Sequence, residues 1–351
     1  MGPYNCRWKR YITAASSIAI LGLSVSCNNA DSQDGISMEI SAEIIVQDVK
    51  DRVYTEWNLE RLKLHTEPVL GNIDQMVIMD GEIFLSDMGD MRVKRFGTDG
   101  KLKATYGQNR GKGPGEFRNI YSFWSHEQEH VWIIDSMNRT VSQFGYSDGS
   151  YLSSFTPDYM AARVAAINRD TLVILAYMNP ELFVMVNSEG EVLGNFNGTV
   201  EAVSDVPTII YDGKLHPYGT RRFVWAPRFA SYLYIFDERA RLSRRINLID
   251  GHGYPFDRLS SNRMRFTASE LSQPHRTIAM SMTDVDIFVN TVVRDEHSSY
   301  NVLDRYDRAT GKYIDSARMP DKGNQYQVYD GVIFSAGADT TIWAFSFSTP
   351  M

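Results

Sequence analysis

The sequence predicts an all-β fold built from one repeated unit, and three observations carry this prediction. Helical periodicity is scarce, whereas short apolar runs bounded by Gly, Asn or Asp recur along most of the chain. The runs follow one order: an apolar run with Asp or Asn after it, a run ending in Phe or Tyr, a turn with Gly, and a third run. The turn glycines Gly100, Gly149 and Gly190 are 49 and 41 residues apart, a spacing typical of propeller blades.

Copies of this unit are visible at 81–107, 130–155, 170–196, 231–248 and 285–319. A remnant at 339–350 is too short for a blade, so we expect an N-terminal strand to complete it, either Glu39–Val46 or Glu60–Leu64. The sequence therefore predicts a six-bladed β-propeller with four-stranded antiparallel blades, closed by pairing of the N- and C-terminal segments. The stretch 251–276, rich in Arg and Ser, interrupts the repeat and predicts a long excursion on one face.

The first 26 residues predict a secretory signal peptide, because basic residues precede the short apolar stretch Tyr11–Val25 and small residues follow it. The stretch LSVSC resembles a lipoprotein box, although Leu23 precedes the cysteine by four residues instead of three. We expect lipidation of Cys27; the alternative is an ordinary signal peptide followed by an unmodified cysteine. Residues 27–35 are then the lipidated cysteine with a flexible tether, and residues 36–351 a single propeller domain.

Charge and cysteine content exclude several classes of function. The chain has 36 basic and 43 acidic residues, a formal net charge of −7, and loss of the basic leader makes it more acidic. Nucleic acid is therefore not an expected partner. Cys6 leaves with the leader and Cys27 carries the lipid, so the mature fold has no thiol for a disulfide, a metal or a nucleophile. No later segment approaches 18 consecutive apolar residues, so the lipid is the predicted membrane attachment.

Two segments resemble the sequence motif of a functional site but lack the spacing or the structural context that such a site requires. The glycine-rich stretch Gly107–Phe117 lacks the spacing and the hydroxyl of a phosphate-binding loop, and we predict that it connects two blades. In this loop we expect Pro114 to restrict the backbone, Glu116 to accept amide hydrogen bonds and Phe117 to fill the seam between the blades. The segment His126–His130 spells H-E-x-x-H, but it lies between two predicted strands, whereas a zinc site needs both histidines on one helical face. We interpret it as a solvated turn.

An enzymatic propeller would need ligands for a metal in its central channel. The candidates are His65, His216, His252, His275 and His297, with Asp87 and Asp135. Asp87 and Asp135 occupy equivalent places in two repeats, where an Asx turn commonly ends a strand, so their repetition has a structural explanation. No G-x-S-x-G motif is present. The sequence thus predicts no catalytic residue, no metal site and no cofactor.

Basic and aromatic residues that lie close together in the sequence mark two candidate binding segments. We expect Trp132 and Trp343 to fill seams between blades. In TRRFVWAPRF and SSNRMRF, by contrast, the residue types fit an acidic ligand or a partner surface. The candidate binding residues are Arg221, Arg222, Trp225, Arg228, Arg263 and Arg265.

The lipoprotein-type leader, the GKGPGEF loop and the segment IDSMNRTVSQFGYSDG (134–149) together resemble six-bladed β-propeller lipoproteins of Bacteroidetes, relatives of the NHL-repeat and TolB-like propellers. The resemblance is specific over 36–155 and rests on the repeat rhythm beyond. It implies a cell-envelope location, with the lipid in the outer membrane, and a binding or scaffolding role.

We therefore expect a non-enzymatic module that binds an envelope protein partner or an extracellular ligand. Two alternatives remain open. One is a metal-dependent hydrolase or lyase with its site in the central channel, and the other is an accessory lipoprotein for glycan or peptide uptake.

Overall fold

Six antiparallel sheets follow one another along the chain and form the blades of a propeller. The computed structural model describes residues 42–64, 70–177, 179–197, 211–219, 221–251, 257–258, 264–265, 275–294, 298–320, 325–336 and 340–348. Residues 43–351 form one compact unit. No helix among the described residues is long and apolar enough to cross a membrane. The leader, Cys27 and the tether lie outside the described residues.

The strands are short and take their names in chain order. Before the first blade come β1 (Glu43–Ile45) and β2 (Asn58–Leu64). Blade 1 contains β3 (Ile73–Met79), β4 (Glu82–Asp87), β5 (Arg92–Phe96) and β6 (Leu102–Tyr106). Blade 2 contains β7 (Ile120–His126), β8 (His130–Asp135), β9 (Thr140–Gly145) and β10 (Tyr151–Phe155). Blade 3 contains β11 (Met160–Asn168), β12 (Thr171–Tyr177), β13 (Phe183–Asn187) and β14 (Val192–Phe196).

The second half of the chain continues the same pattern. Blade 4 contains β15 (Gly213–Pro217), β16 (Phe223–Pro227), β17 (Tyr232–Phe236) and β18 (Leu242–Asn247). A separate hairpin, β19 (Asp257–Arg258) with β20 (Met264–Arg265), lies within the predicted excursion. Blade 5 contains β21 (His275–Met282), β22 (Asp286–Arg294), β23 (Ser299–Asp307) and β24 (Tyr313–Arg318). Blade 6 contains β25 (Gln325–Tyr329), β26 (Val332–Ala336) and β27 (Ile342–Ser348).

The N-terminal strand β2 completes blade 6, as the sequence predicts for Glu60–Leu64. It pairs antiparallel with β27, from Asn58 opposite Ser348 to Leu64 opposite Ile342. The other candidate segment has a different place, because β1 adds a fifth, parallel strand to the outer edge of blade 4. The strands β25 and β26, which were not predicted, give blade 6 three strands of its own together with β27. The six-bladed, four-stranded architecture is confirmed.

A segment that we call the strap, residues 46–57, joins the outer edges of three blades. It follows β1 on blade 4, forms a parallel bridge from Tyr54 to Ser316 of blade 5, and leads into β2 on blade 6. Arg52 lies within it and is paired with Asp304 at 2.8 Å and with Asp250 at 2.5 Å, and all three side chains are buried. Removal of one member of such a group leaves a buried charge uncompensated, which typically costs about 3–5 kcal/mol.

The loop between β6 and β7 has the structural role that the sequence predicts. It carries the chain from the outer edge of blade 1 to the inner edge of blade 2. The amide of Gly113 donates to Glu116 Oε2 at 2.8 Å, and Phe117 is fully buried with its ring 5.8 Å from that of Phe144 in blade 2. Gly107 has a φ of 99°, and a Cβ there would lie 2.7 Å from the Phe117 ring, so the loop requires glycine at this position.

Asp87 and Asp135 end equivalent strands and bind backbone amides, as an Asx-turn interpretation predicts. The Asp87 carboxylate accepts hydrogen bonds from the amides of Gly71, Asn72 and Gly89 and from the Lys94 ammonium. Burial raises the pKa of Asp87, but these donors outweigh it and the net pKa is lowered. Asp135 accepts from four amides in the corresponding place in blade 2. Both carboxylates hold blade connections together.

Candidate functional site

The first strands of the six blades close a ring around the central channel. These strands are β3, β7, β11, β15, β21 and β25, and each contacts the first strand of the next blade. Because they occupy equivalent places in a propeller, they run in one direction, and their N-terminal ends meet at one mouth of the channel. We call this end the N-terminal mouth and the opposite end the C-terminal mouth.

Hydrogen bonds between neighbouring blades hold the wall of the N-terminal mouth in place. The Gln75 side chain of blade 1 donates to the Tyr121 carbonyl of blade 2 at 2.6 Å, and Arg163 of blade 3 donates to the same carbonyl at 2.7 Å. Gln325 of blade 6 donates to the Asp74 carbonyl of blade 1 at 2.7 Å. The mouth is therefore a pre-formed structure, which is the usual condition of a binding site.

A buried ion pair lies in this wall. The Arg163 guanidinium donates two hydrogen bonds to the Asp212 carboxylate, both 2.9 Å long, and the two side chains are 9% and 5% exposed. Burial disfavours both charges, but the attraction between them outweighs it, so the pKa of Asp212 is lowered and the pKa of Arg163 is raised. Each charge of this pair therefore neutralises the other.

Lys214, two residues after Asp212, differs from this ion pair in its contacts. No described residue forms a hydrogen bond or an ion pair with its ammonium group. Burial, together with the charges of Arg163 and Arg228, lowers the pKa of Lys214 to about 7, and Asp212 and Asp74 offset only part of this effect. A lysine with this pKa exists in both protonation states at neutral pH.

Two connected hollows open at the N-terminal mouth. The inner one has a volume of about 140 Å³ and is lined by charged and polar side chains that include Arg163, Asp212, Lys214 and Arg228. The outer one, of about 520 Å³, shares Asp74, Arg228, Ile278 and Gln325 with it. A larger hollow of about 690 Å³ lies at the rim beside β2, but its one basic side chain, Arg318, already lies over the Tyr300 ring at 3.8 Å. The inner hollow of the channel therefore has more charged side chains in its lining than the hollow at the rim.

The C-terminal mouth contains a hollow of about 330 Å³ with a different lining. His216 lies there on the same strand as Lys214, and its ring is 4.5 Å from the Trp124 ring, edge to face. Burial, with a smaller contribution from the Lys214 charge, lowers the pKa of His216 to about 3. His216 is therefore neutral at physiological pH and packs as an aromatic residue.

The structure divides the binding residues that the sequence analysis grouped together. Arg228 follows β16 and reaches the N-terminal mouth, where one of its guanidinium nitrogens lies 3.8 Å from Asp212. Arg221 and Arg222 lie on the exposed turn at the other end of β16, and Arg222 lies over the Tyr218 ring at 5.1 Å. Arg263 lies outside the described residues, and for Arg265 only the backbone in β20 is described.

Trp225, one of the candidate binding residues, lies in the core and not on a surface. It belongs to β16, is 0% exposed, and packs between Phe183 and Tyr234 at ring distances of 5.3 and 5.1 Å. Its ring is consequently covered by protein on both sides. Trp132 also lies in the core, and Trp343 is half-buried against the core of blades 5 and 6, as the sequence predicts for both.

The H-E-x-x-H segment forms the turn that the sequence predicts. His126 and His130 are paired across the β7–β8 hairpin, and the two residues at its tip, Glu127 and Gln128, have positive φ values of 48° and 55°. Among the described residues, no group of three or more His, Cys, Asp or Glu is placed to hold a metal ion. His65, His252 and His297 lie outside these residues, and the side chain of His275 is not described.

Arg163, Asp212 and Lys214 were not among the predicted site residues. A local signal exists for two of them, because Arg163 is the charged residue of the apolar strand β11, and Lys214 and His216, two residues apart, lie on the same face of β15. Arg163 and Lys214 both line the inner hollow of the channel.

The fold is shared with known structures at low sequence identity. A candidate exported protein from Bacteroides fragilis is 14% identical, with a TM-score of 0.59 over 88% of this chain and 99% of the other. A DUF4221 family member from Bacteroides vulgatus is 12% identical, with a TM-score of 0.57 over 86% and 99%. Virginiamycin B lyase from Staphylococcus aureus is 11% identical, with a TM-score of 0.50 over 83% and 99%. At these identities the similarities show the fold alone.

No curated protein matches the chain. The family DUF5128, described as a 6-bladed beta-propeller, matches residues 57–329, which extend from the strap to the first strand of blade 6. The chain therefore belongs to the DUF5128 family of six-bladed β-propellers.

Proposed function

We propose that this propeller is an exported, lipid-anchored binding module that holds a ligand at the N-terminal mouth of its channel. The observation that carries the proposal is Lys214. Its ammonium group has no ion-pair partner among the described residues, and it faces a hollow whose wall is fixed by hydrogen bonds between blades. A rigid cleft with a few converging polar groups is the usual form of a ligand site.

Export and anchoring are supported by the leader and by one relative. The basic and apolar segments that precede Cys27 have the order of a secretory signal. The similar Bacteroides fragilis structure is that of a candidate exported protein. A lipid on Cys27 and an outer-membrane location complete the proposal. Replacement of Cys27 by Ala should then release the protein from the membrane fraction, and a variant that remains in that fraction would contradict the anchor.

Hydrogen exchange of the full-length protein, measured with and without a small-molecule extract of the cell envelope, tests the binding function. We expect slower exchange of the amides in 211–214 and 228–231, which adjoin the hollow, because a bound ligand excludes water and restrains local opening. The turns 97–101 and 146–150 lie at the ends of the blade strands that are opposite to the N-terminal mouth, and they serve as internal controls. Slower exchange confined to those turns or to the outer edges of the blades would contradict the proposed site.

A further inference from the structure

The charge balance of the N-terminal mouth is cationic, although the protein is acidic overall. The inner hollow is lined by three basic side chains and two acidic ones. Arg163 and Asp212 neutralise each other, which leaves Lys214 and Arg228 against Asp74, an exposed residue. The whole chain, by contrast, has 43 acidic and 36 basic residues. A local excess of positive charge in a low-dielectric cleft attracts anions.

Two of the polar groups in this hollow that have free hydrogen-bonding capacity, those of Lys214 and Arg228, are donors. The amide groups of Gln75 and Gln325 are used in contacts between blades. The Lys214 ammonium has three donors and no hydrogen-bond partner among the described residues. The Arg228 Nε is buried and likewise has no partner in the described part of the chain. A ligand group that fills this place must therefore accept hydrogen bonds.

Lys214 is half-buried, and partial desolvation of a cation without a partner destabilises a protein, a cost that an apolar residue of similar size would avoid. Position 214 is on a five-residue strand whose neighbours Gly213 and Leu215 are buried. No hydrogen bond or ion pair of the described residues therefore requires a lysine at this position. A bound anion would supply the missing partner.

On the basis of the proposed function, we infer that the ligand presents an oxyanion group, a carboxylate, phosphate or sulfate, to Lys214 and Arg228. The ammonium of Lys214 donates to one oxygen and the planar guanidinium of Arg228 donates to another. The inner hollow of about 140 Å³ takes the oxyanion, and the outer hollow of about 520 Å³ takes the rest of the ligand.

Protonation of Lys214 couples this binding to pH. The titratable and charged groups around Lys214 are Asp74 of β3, Tyr121 of β7, Arg163 of β11, Tyr177 of β12, Asp212, Arg228 and, on its own strand, His216. Burial and Asp212 raise the pKa of Tyr177, and His216 is neutral, so Lys214 is the group that changes charge near pH 7. A bound oxyanion raises the pKa of Lys214, so binding above about pH 7 takes up a proton.

Titration calorimetry of the full-length protein tests the inference, with sodium phosphate, sulfate and acetate as probes at about pH 6 and about pH 8. We expect binding at the lower pH and up to about a tenfold loss of affinity per pH unit above 7, with proton uptake seen as a dependence on buffer ionisation enthalpy. Lys214→Met should lose both the binding and its pH dependence. Lys101→Met, at a lysine whose side chain is 83% exposed, is the matched control and should behave as the wild type.

The source of the oxyanion is identified by paired probes: galacturonate against galactose, and a short peptide against its C-terminal amide. Binding of the acid and not of its neutral partner supports the inference. Equal binding by wild type and Lys214→Met overturns it. If the envelope extract slows exchange at 211–214 and none of the oxyanions binds, the inference is wrong and the binding function stands. If the extract slows exchange only elsewhere, both are wrong. Thermal unfolding of Lys214→Met shows that a loss of binding is not a loss of fold.

Discussion

The two mouths of the channel are formed by the same six strands, but burial has a different outcome for the charge at each of them. Lys214 and His216 lie two residues apart on β15, and burial lowers the pKa of each. The pKa of the lysine falls to about 7 and that of the histidine to about 3. Because lysine starts about four units higher, the same kind of environment leaves it partly charged at neutral pH and leaves the histidine neutral. The difference shows that residue choice, and not the fold, makes one mouth cationic.

The largest expected effect comes from breaking the ion pair that shapes the cationic mouth. Arg163→Met removes both hydrogen bonds to the buried Asp212 carboxylate and leaves the more distant Arg228, at 3.8 Å, as its ion-pair partner, so we expect a loss of up to about 3–5 kcal/mol in the free energy of unfolding, measured with urea. Arg241→Met is the control, because Arg241 donates two hydrogen bonds to Asp237 in an exposed pair and should cost at most about 1 kcal/mol. Similar losses in the two variants would contradict the buried, ion-paired description of this mouth.

Replacement of the unpaired lysine should stabilise the protein. Below about pH 7 Lys214 is charged in both states and its burial costs the folded state; between pH 7 and 10.5 only the unfolded state binds the proton. The cost is therefore fully present below pH 7 and is lost as the pH rises to 10.5. Lys214→Met should gain about 1–4 kcal/mol at neutral pH, with the gain disappearing at alkaline pH. A variant that is less stable than the wild type at pH 7 would refute this account.

The histidine at the other mouth should control stability on the acid side. Above its unfolded pKa of 6.5 His216 is neutral in both states, and as the pH falls from 6.5 towards 3 only the unfolded chain takes up the proton. The wild type should thus lose about 1.4 kcal/mol per pH unit through this residue, or about 2 kcal/mol at about pH 5. His216→Phe should remove this part of the slope in unfolding experiments between pH 7 and pH 4. An unchanged slope would show that other groups cause it.

The smallest effect is expected at the exposed turn between β15 and β16. Arg222 lies over Tyr218 but is exposed, so Arg222→Met should change the free energy of unfolding by no more than about 0.5 kcal/mol. It should also leave phosphate binding unchanged, whereas Arg228→Met should reduce it. Calorimetry of both variants under the same conditions shows which end of β16 contributes to phosphate binding. Weaker binding in Arg222→Met would move the candidate site towards the exposed turn.

The closed ring of six blades could be predicted from the sequence, but most of the side chains at the N-terminal mouth could not. Turn glycines and apolar runs repeat locally, so the blade count and the closure through Glu60–Leu64 could be predicted. The strands β25 and β26 were missed because Gln325, Gln327 and Ser335 interrupt their apolar pattern, although all three side chains are buried. Arg228, which lines the inner hollow, was predicted as a candidate binding residue from its basic and aromatic neighbours. Arg163 and Asp212, 49 residues apart, are brought together only by the closed ring, and no local pattern reports such a pair.

The pairing of β2 with β27 also has a consequence for the order of folding. The two strands are separated by almost the whole propeller, since Asn58 lies opposite Ser348. Contacts of such high sequence separation are slow to form because the intervening chain must first lose its conformational freedom. The strand β2 therefore remains unpaired until β27, which follows the strands of blades 1–5 in the chain, has been synthesised. A chain with this connectivity cannot close its ring while the first five blades are being made.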